Sequence, residues 1–332
     1  MMKKLFLLMM AVAMAVFGAE AWEAIVMPKA SLLMYCGEKM IERGEEQEKP
    51  EKGGKMDKLE EVLGSDAERA EYYEALLDVL DEIGKAPALK KNGKTFRMCD
   101  SFAVQKNASV AIEFKNPVEL DKLTSIPDAK LVIKMDKIEG KDVLSLENQG
   151  DKKEHFAAII VNEGKTMLLT GWDNAAAMVA RIGVPAVYTG EMKHLVTAAK
   201  GDFRLCLEFT PKLKQKINEK AMGQMSVEPV QAMALMKLAE MHGVLVDSTI
   251  TADDGVIIKL GLSSISPQAA TVVKEQLFDG MVMPMAQSLA DGIAPGKINT
   301  AGMLKTSVSG KIAILNVTLK KSEMEMFKGI IK

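Results

Sequence analysis

The run Ala157-Ala158-Ile159-Ile160-Val161-Asn162-Glu163-Gly164-Lys165-Thr166-Met167-Leu168-Leu169-Thr170 decides the fold class. Two aliphatic segments flank four turn-forming or polar residues, which is the signature of a β-hairpin. The pattern recurs along the chain. Leu304 to Val308 and Lys311 to Leu319 flank Ser309-Gly310, and aliphatic runs also flank Ile138-Glu139-Gly140-Lys141 and Ala252-Asp253-Asp254-Gly255. Hairpins pair antiparallel, so the sheet is expected to be antiparallel.

Helical segments alternate with these hairpins. Ala108 to Phe114 and Phe203 to Phe209 are strand-like runs, each followed by a capping residue and a proline, Asn116-Pro117 and Thr210-Pro211. Proline suits the first helical position because the N–H it lacks would have no intrahelical partner. Ser266-Pro267 opens a third helix in this way, with Ala270, Val273, Leu277 and Met281 on one face. Asp173 caps a helix expected to reach about Ile182, and another starts near Ser322. The expected class is α+β, with antiparallel sheet and helices packed on one face. The repeated junctions also suggest an internal duplication of residues 96–200 and 201–332.

The chain before residue 96 reads differently. Lys3 and Lys4 precede an apolar run from Leu5 to Phe17, and Ala19-Glu20-Ala21 supplies small residues for a signal peptidase. Thirteen apolar residues reach about 20 Å as a helix, short of a hydrocarbon core of about 30 Å. Residues 1–21 are therefore expected to be a cleaved signal peptide, and the product to work in the periplasm or beyond the cell. Residues 22–95 form a lead-in. From Glu38 to Glu82 there are 16 acidic and seven basic side chains, and Glu42 to Lys58 is almost devoid of apolar residues, so a solvated linker is expected. Ser65-Asp66-Ala67-Glu68 is a capping box. It opens a helix with Tyr73, Leu76, Leu77, Leu80 and Ile83 on one face, closed by Gly84 and Pro87.

Composition narrows the function. With 332 residues, 48% apolar and a net charge of −2, the chain is globular and lacks the basic surface a nucleic-acid binder needs. No later segment is long and apolar enough to span a membrane. Gly292-Ile293-Ala294-Pro295-Gly296-Lys297 has the wrong glycine spacing for a phosphate loop, and Ile298 stands where the hydroxyl residue belongs. No cofactor is expected. His155, His194 and His242 are the three histidines and lie far apart. Cys36, Cys99 and Cys206 show no redox or zinc spacing and read as small buried apolar residues, though a disulfide between two of them is also compatible with an oxidising compartment.

Methionine, at 25 residues, is the one excess with chemical potential. Met281, Met283 and Met285 alternate, and thioethers are soft ligands for Cu(I). On a helix, alternate residues point to different faces, so convergence on one ion would need Pro284 to break it. Met222, Met225, Met233, Met236 and Met241 crowd a second region, where Met233 and Met241 share helical spacing with Val230 and Leu238 and read as core. In layout the chain is similar to secreted α+β proteins of bacteria, a likeness that brings no site with it. The expected function is a non-enzymatic extracytoplasmic binding or interaction protein, with a small ligand or a protein as partner. The alternatives are a secreted hydrolase using carboxylates scattered in sequence and a methionine-based carrier of soft metal.

Overall fold

The structure is a computed structural model that describes residues 25–26, 29–46, 67–102, 104, 106–124, 126, 130–148, 154–184, 186–226, 229–293 and 300–324. The expected signal peptide, most of the expected acidic linker, Ser65-Asp66 and residues 294–299 lie outside the described residues. The chain divides into two compact units, one ending at Thr189 and the other beginning at Gly190.

In the N-terminal unit the strands are β1 (Leu32–Cys36), β2 (Gly93–Asp100), β3 (Ser109–Phe114), β4 (Leu131–Ile138), β5 (Lys141–Asn148), β6 (His155–Val161) and β7 (Thr166–Gly171). They lie in the order β1-β2-β3-β7-β6-β5-β4, every pair antiparallel. The chain leaves β3, crosses to the β4 edge through residues 115–130, and returns by two hairpins until β7 lies against β3. Ser109 and Thr170, directly opposite across β3 and β7, join their hydroxyls at 2.7 Å. Lys134 and Lys137 on the β4 edge pair with Glu147 and Asp142 on β5, and these charges disfavour addition of a foreign strand.

Among the described residues two helices precede β2: α1 (Glu38–Glu46) and α2 (Ala67–Gly84). Helix α2 buries Tyr72, Tyr73, Leu76, Val79 and Ile83, each no more than 2% exposed, against Val110, Leu144, Phe156, Met167 and Leu169 of the sheet. At about 1.5–3 kcal/mol per large side chain this stripe anchors the helix firmly. The stripe differs from the expected one in that Leu77 faces solvent and Tyr72 and Val79 face the core. Ala111, Val143, Ala157, Ile159 and Leu168, on the opposite pleats of the same strands, are buried as well. Strand β1 falls inside the expected lead-in and pairs with β2, from Leu32 opposite Asp100 to Cys36 opposite Phe96.

Polar clusters tie α2 down. Arg69 pairs with Asp100 and donates to the Val104 carbonyl at 3.0 Å, while Tyr73 donates to Asp100 at 2.6 Å. Tyr72 donates to the Ala108 carbonyl and accepts from the Gly171 amide, both at 3.0 Å.

The C-terminal unit contains β8 (Phe203–Glu208), β9 (Gly243–Ile250), β10 (Val256–Ser263), β11 (Leu304–Ser309) and β12 (Ile312–Leu319), in the order β11-β12-β10-β9-β8. These pairs are also antiparallel. Short helix α3 (Ala175–Val179) ends the first unit, and α4 (Gly190–Ala198) begins the second. They are followed by α5 (Pro211–Gln224), α6 (Pro229–Ala239), α7 (Pro267–Val273), a π-helical segment at Lys274–Val282, α8 (Met283–Ile293) and α9 (Thr300–Met303). Asp247, 4% exposed, is satisfied by the backbone N–H groups of Lys200 and Gly201 and by the Lys259 ammonium.

All four expected hairpins are present. Thr210 and Ser266 cap their helices by accepting from the Leu213 and Ala269 amides at 3.3 and 3.1 Å. Pro117 opens no helix. Asn92 holds the Asn116 amide at 2.8 Å and Gly164 holds the Val118 amide at 2.8 Å, so the backbone bends at Lys115-Asn116 and forms no helical turn until the 3₁₀ turn at Leu120–Leu123. The helix expected from Asp173 is a 3₁₀ turn followed by the short α3, and the Asn174 side chain donates to the Lys106 carbonyl rather than capping it.

Candidate functional site

The segment after β3 and the two hairpin turns of the N-terminal unit form one wall each of an open groove of about 690 Å³. That volume falls within the range of small-ligand sites. Its construction starts in the turn chemistry. Asn162, Glu163 and Gly164 have successive φ values of 53°, 54° and 86°, a left-handed run that curls the β6–β7 turn back toward the sheet. Gly164 is needed at its position for two reasons: its φ, and a Cβ there would sit 2.9 Å from the Val118 carbonyl oxygen. The opposite lip is the β4–β5 turn, where Glu139 and Gly140 at φ 51° and 77° make the mirror-image turn that two-residue hairpins favour.

The lining divides by chemistry. Leu120, Ile160, Val161 and Ile182 are half-buried residues of the lining, Leu120 and Ile160 packing also against the core under α2. Exposed Glu119, Asp142 and Glu163 stand around the groove as carboxylates, against one ammonium, Lys141. Glu119 pairs with Lys122 at 2.8 Å and Asp142 with Lys137 at 2.5 Å, at solvent-exposed positions where such pairs exchange readily. The groove thus combines half-buried apolar residues with carboxylates, two of which carry a lysine partner.

The methionines single out a different place. Met281 ends the π-helical segment and Met283 and Met285 begin α8 without a break. Pro284 lies inside this continuous helical run, two residues past the π-helical segment, where its missing N–H removes one donor from the helix. Helical geometry sets Met283 about 200° around the axis from Met281, while Met281 and Met285 share a side. Met283 also lines a small groove of about 240 Å³ with Asp279, Pro284, Gln287, Thr300, Ala301 and Leu304. Of the second methionine group, only Met241 is buried; Met233, expected in the core, is 55% exposed.

The histidines are dispersed. His155 stacks on Trp172 with centroids 4.1 Å apart and meets the Ser145 hydroxyl at 2.9 Å through Nε2. Desolvation there lowers its pKa below the ordinary 6.5. His194 is exposed, and His242 links α6 to β9. No disulfide joins Cys36, Cys99 or Cys206, and burial pushes the Cys36 thiol up to about 11.

In the C-terminal unit the charge of Glu191 is felt by Glu208. Glu191 in α4 accepts from Ser263 and, at 2.5 Å, from Lys311. Burial raises the pKa of Glu208 on β8 and the charge of Glu191 adds to that, opposed by the backbone amide of Met192 and by the nearby His242 and Lys311. Neither carboxylate lines either groove. No group of three or more His, Cys, Asp or Glu among the described residues is placed to hold a metal ion. No described helix is long and apolar enough to cross a membrane.

No family model, no curated protein and no solved structure matches the chain.

Proposed function

We propose that the protein is a non-enzymatic binding protein working outside the cytoplasm, and that the groove of the N-terminal unit seats a small amphipathic cation. The observation that carries this reading is that half-buried Leu120, Ile160, Val161 and Ile182 line the groove together with exposed Glu119, Asp142 and Glu163. The location rests on the sequence alone, through Lys3, Lys4, the apolar run Leu5 to Phe17 and Ala19-Glu20-Ala21. The reading also keeps the duplication of residues 96–200 and 201–332, supported by the two tight hairpins in each unit, and helices gathered on one sheet face, supported by the stripe of α2.

The test is a matched pair of probes, 4-phenylbutylamine and 4-phenylbutanoate, titrated into the signal-free protein. The amine should bind and the acid should not, and Glu119→Lys with Glu163→Lys should weaken the amine. Equal affinity for both probes, or for neither, would overturn the reading.

A hydrolytic reading has one observation in its favour, the raised pKa of Glu208 beside Glu191. It is the weaker reading because Glu191 is already engaged by Ser263 and Lys311, which makes it a clamp between α4, β10 and the β11–β12 turn. The soft-metal reading is weaker still, since Met283 is turned away from Met281 and Met285 by helical geometry.

A further inference from the structure

Helices α5 and α6 pack chiefly on each other and form a helical hairpin in the C-terminal unit. Of α5, Ala221 alone is buried among the described side chains. Met222, Met225, Met233 and Met236, on or just beyond these two helices, are 67%, 37%, 55% and 38% exposed. Single exposed apolar side chains are ordinary, but four long, unbranched and polarisable ones on one hairpin are a concentration of exposed apolar surface. Helix α5 also carries Lys212, Lys214, Lys216 and Lys220 and one carboxylate residue, Glu219. Lys212, Lys216 and Lys220 recur every four residues and so form one stripe.

We infer that this hairpin docks on an anionic lipid surface. The occupant must offer negative charge in one layer and an apolar layer directly beneath it, because lysine stems and thioether side chains rise from the same short helices. A bilayer rich in anionic headgroups has that layering, whereas a nucleic acid offers phosphate without accessible hydrocarbon. The methionines enter between headgroups while the lysines keep their ammonium groups at the phosphate level. With no described helix able to cross a membrane, the hairpin lies on the surface and binding is reversible.

The experiment is co-sedimentation of the signal-free protein with phosphatidylglycerol vesicles and, separately, with phosphatidylcholine vesicles. A lysine near an anionic surface contributes about fivefold to binding, so Lys212→Glu with Lys216→Glu and Lys220→Glu should cost at least about 100-fold on phosphatidylglycerol. A second variant replaces Met222, Met225, Met233 and Met236 by Gln and should lose roughly tenfold by removing apolar contact area alone. Lys134→Glu with Lys137→Glu on the β4 edge is the control for added negative charge away from α5 and, at two reversals against three, should cost far less than two-thirds of the α5 effect in log affinity. High salt should release the wild type. Absent binding, equal binding to phosphatidylcholine, folded helix variants that bind like wild type, or a control as damaging per reversal as the α5 variant would each overturn the inference.

Discussion

Gly164 and Gly140 sit in the two turns that bound the groove, with similar left-handed φ values of 86° and 77°. Replacing either by Ala imposes the same backbone penalty, about 1–2 kcal/mol. The surroundings differ. A Cβ on Gly140 meets nothing within 4 Å, whereas one on Gly164 would lie 2.9 Å from the Val118 oxygen and 3.1 Å from both the Val118 nitrogen and the Pro117 Cβ. Backbone cannot swing aside as a side-chain tip can, and this backbone is fixed by the Val118 amide donating to the Gly164 carbonyl at 2.8 Å. Relief requires giving up that bond, which adds about 1 kcal/mol. Gly164→Ala should therefore cost about 2–3 kcal/mol and Gly140→Ala about 1–2 kcal/mol, read from urea unfolding with unchanged slope. The same Gly164→Ala shift should weaken binding of a groove ligand, because the residue is part of the wall. Equal or smaller destabilisation by Gly164→Ala would refute the contact argument.

Asp100→Ala should be among the most damaging single changes, about 3–5 kcal/mol by urea unfolding, because the side chain of its partner Arg69 is 7% exposed and keeps its charge. A cost below about 1 kcal/mol would show that Arg69 re-solvates freely. Glu208, whose pKa burial raises, adds stability that is present below the ordinary carboxylate range and lost as pH rises through its folded pKa, so Glu208→Gln should stabilise the protein at neutral pH and give no gain in acid. Loss of stability at neutral pH would contradict that sign. His155, lowered by desolvation, should titrate below pH 6.5 by proton NMR, and the stability it contributes should be lost as pH falls through that midpoint. A midpoint at or above 6.5 would mean that the Trp172 stack does not exclude water.

The hairpins were legible because each combines aliphatic runs with residues that tolerate a left-handed turn, as at Asn162-Glu163-Gly164 and Glu139-Gly140. The helix starts at Thr210-Pro211 and Ser266-Pro267 were legible because capping is local. Asn116-Pro117 carries the same local signal, yet Asn92 and Gly164, far away in sequence, bind the backbone in a non-helical form. Strand β1 was hidden in the lead-in because five residues carry too little periodicity to stand out. Leu77 misled because helical spacing gives a stripe without its edges, and Met233 because that spacing cannot say whether a partner surface exists. The groove itself was illegible. Its lining comes from residues 117–120, 140–142, 159–164 and 182, joined only when β7 inserts beside β3 and brings its turn against Val118.

The central claim, that the groove is a ligand seat, is tested most directly by proton–nitrogen NMR of the labelled signal-free protein titrated with 4-phenylbutylamine. Saturable shifts should centre on Leu120, Lys141, Ile160, Val161, Glu163 and Ile182 and be absent with 4-phenylbutanoate. Shifts centred elsewhere, or none with either probe, would contradict it.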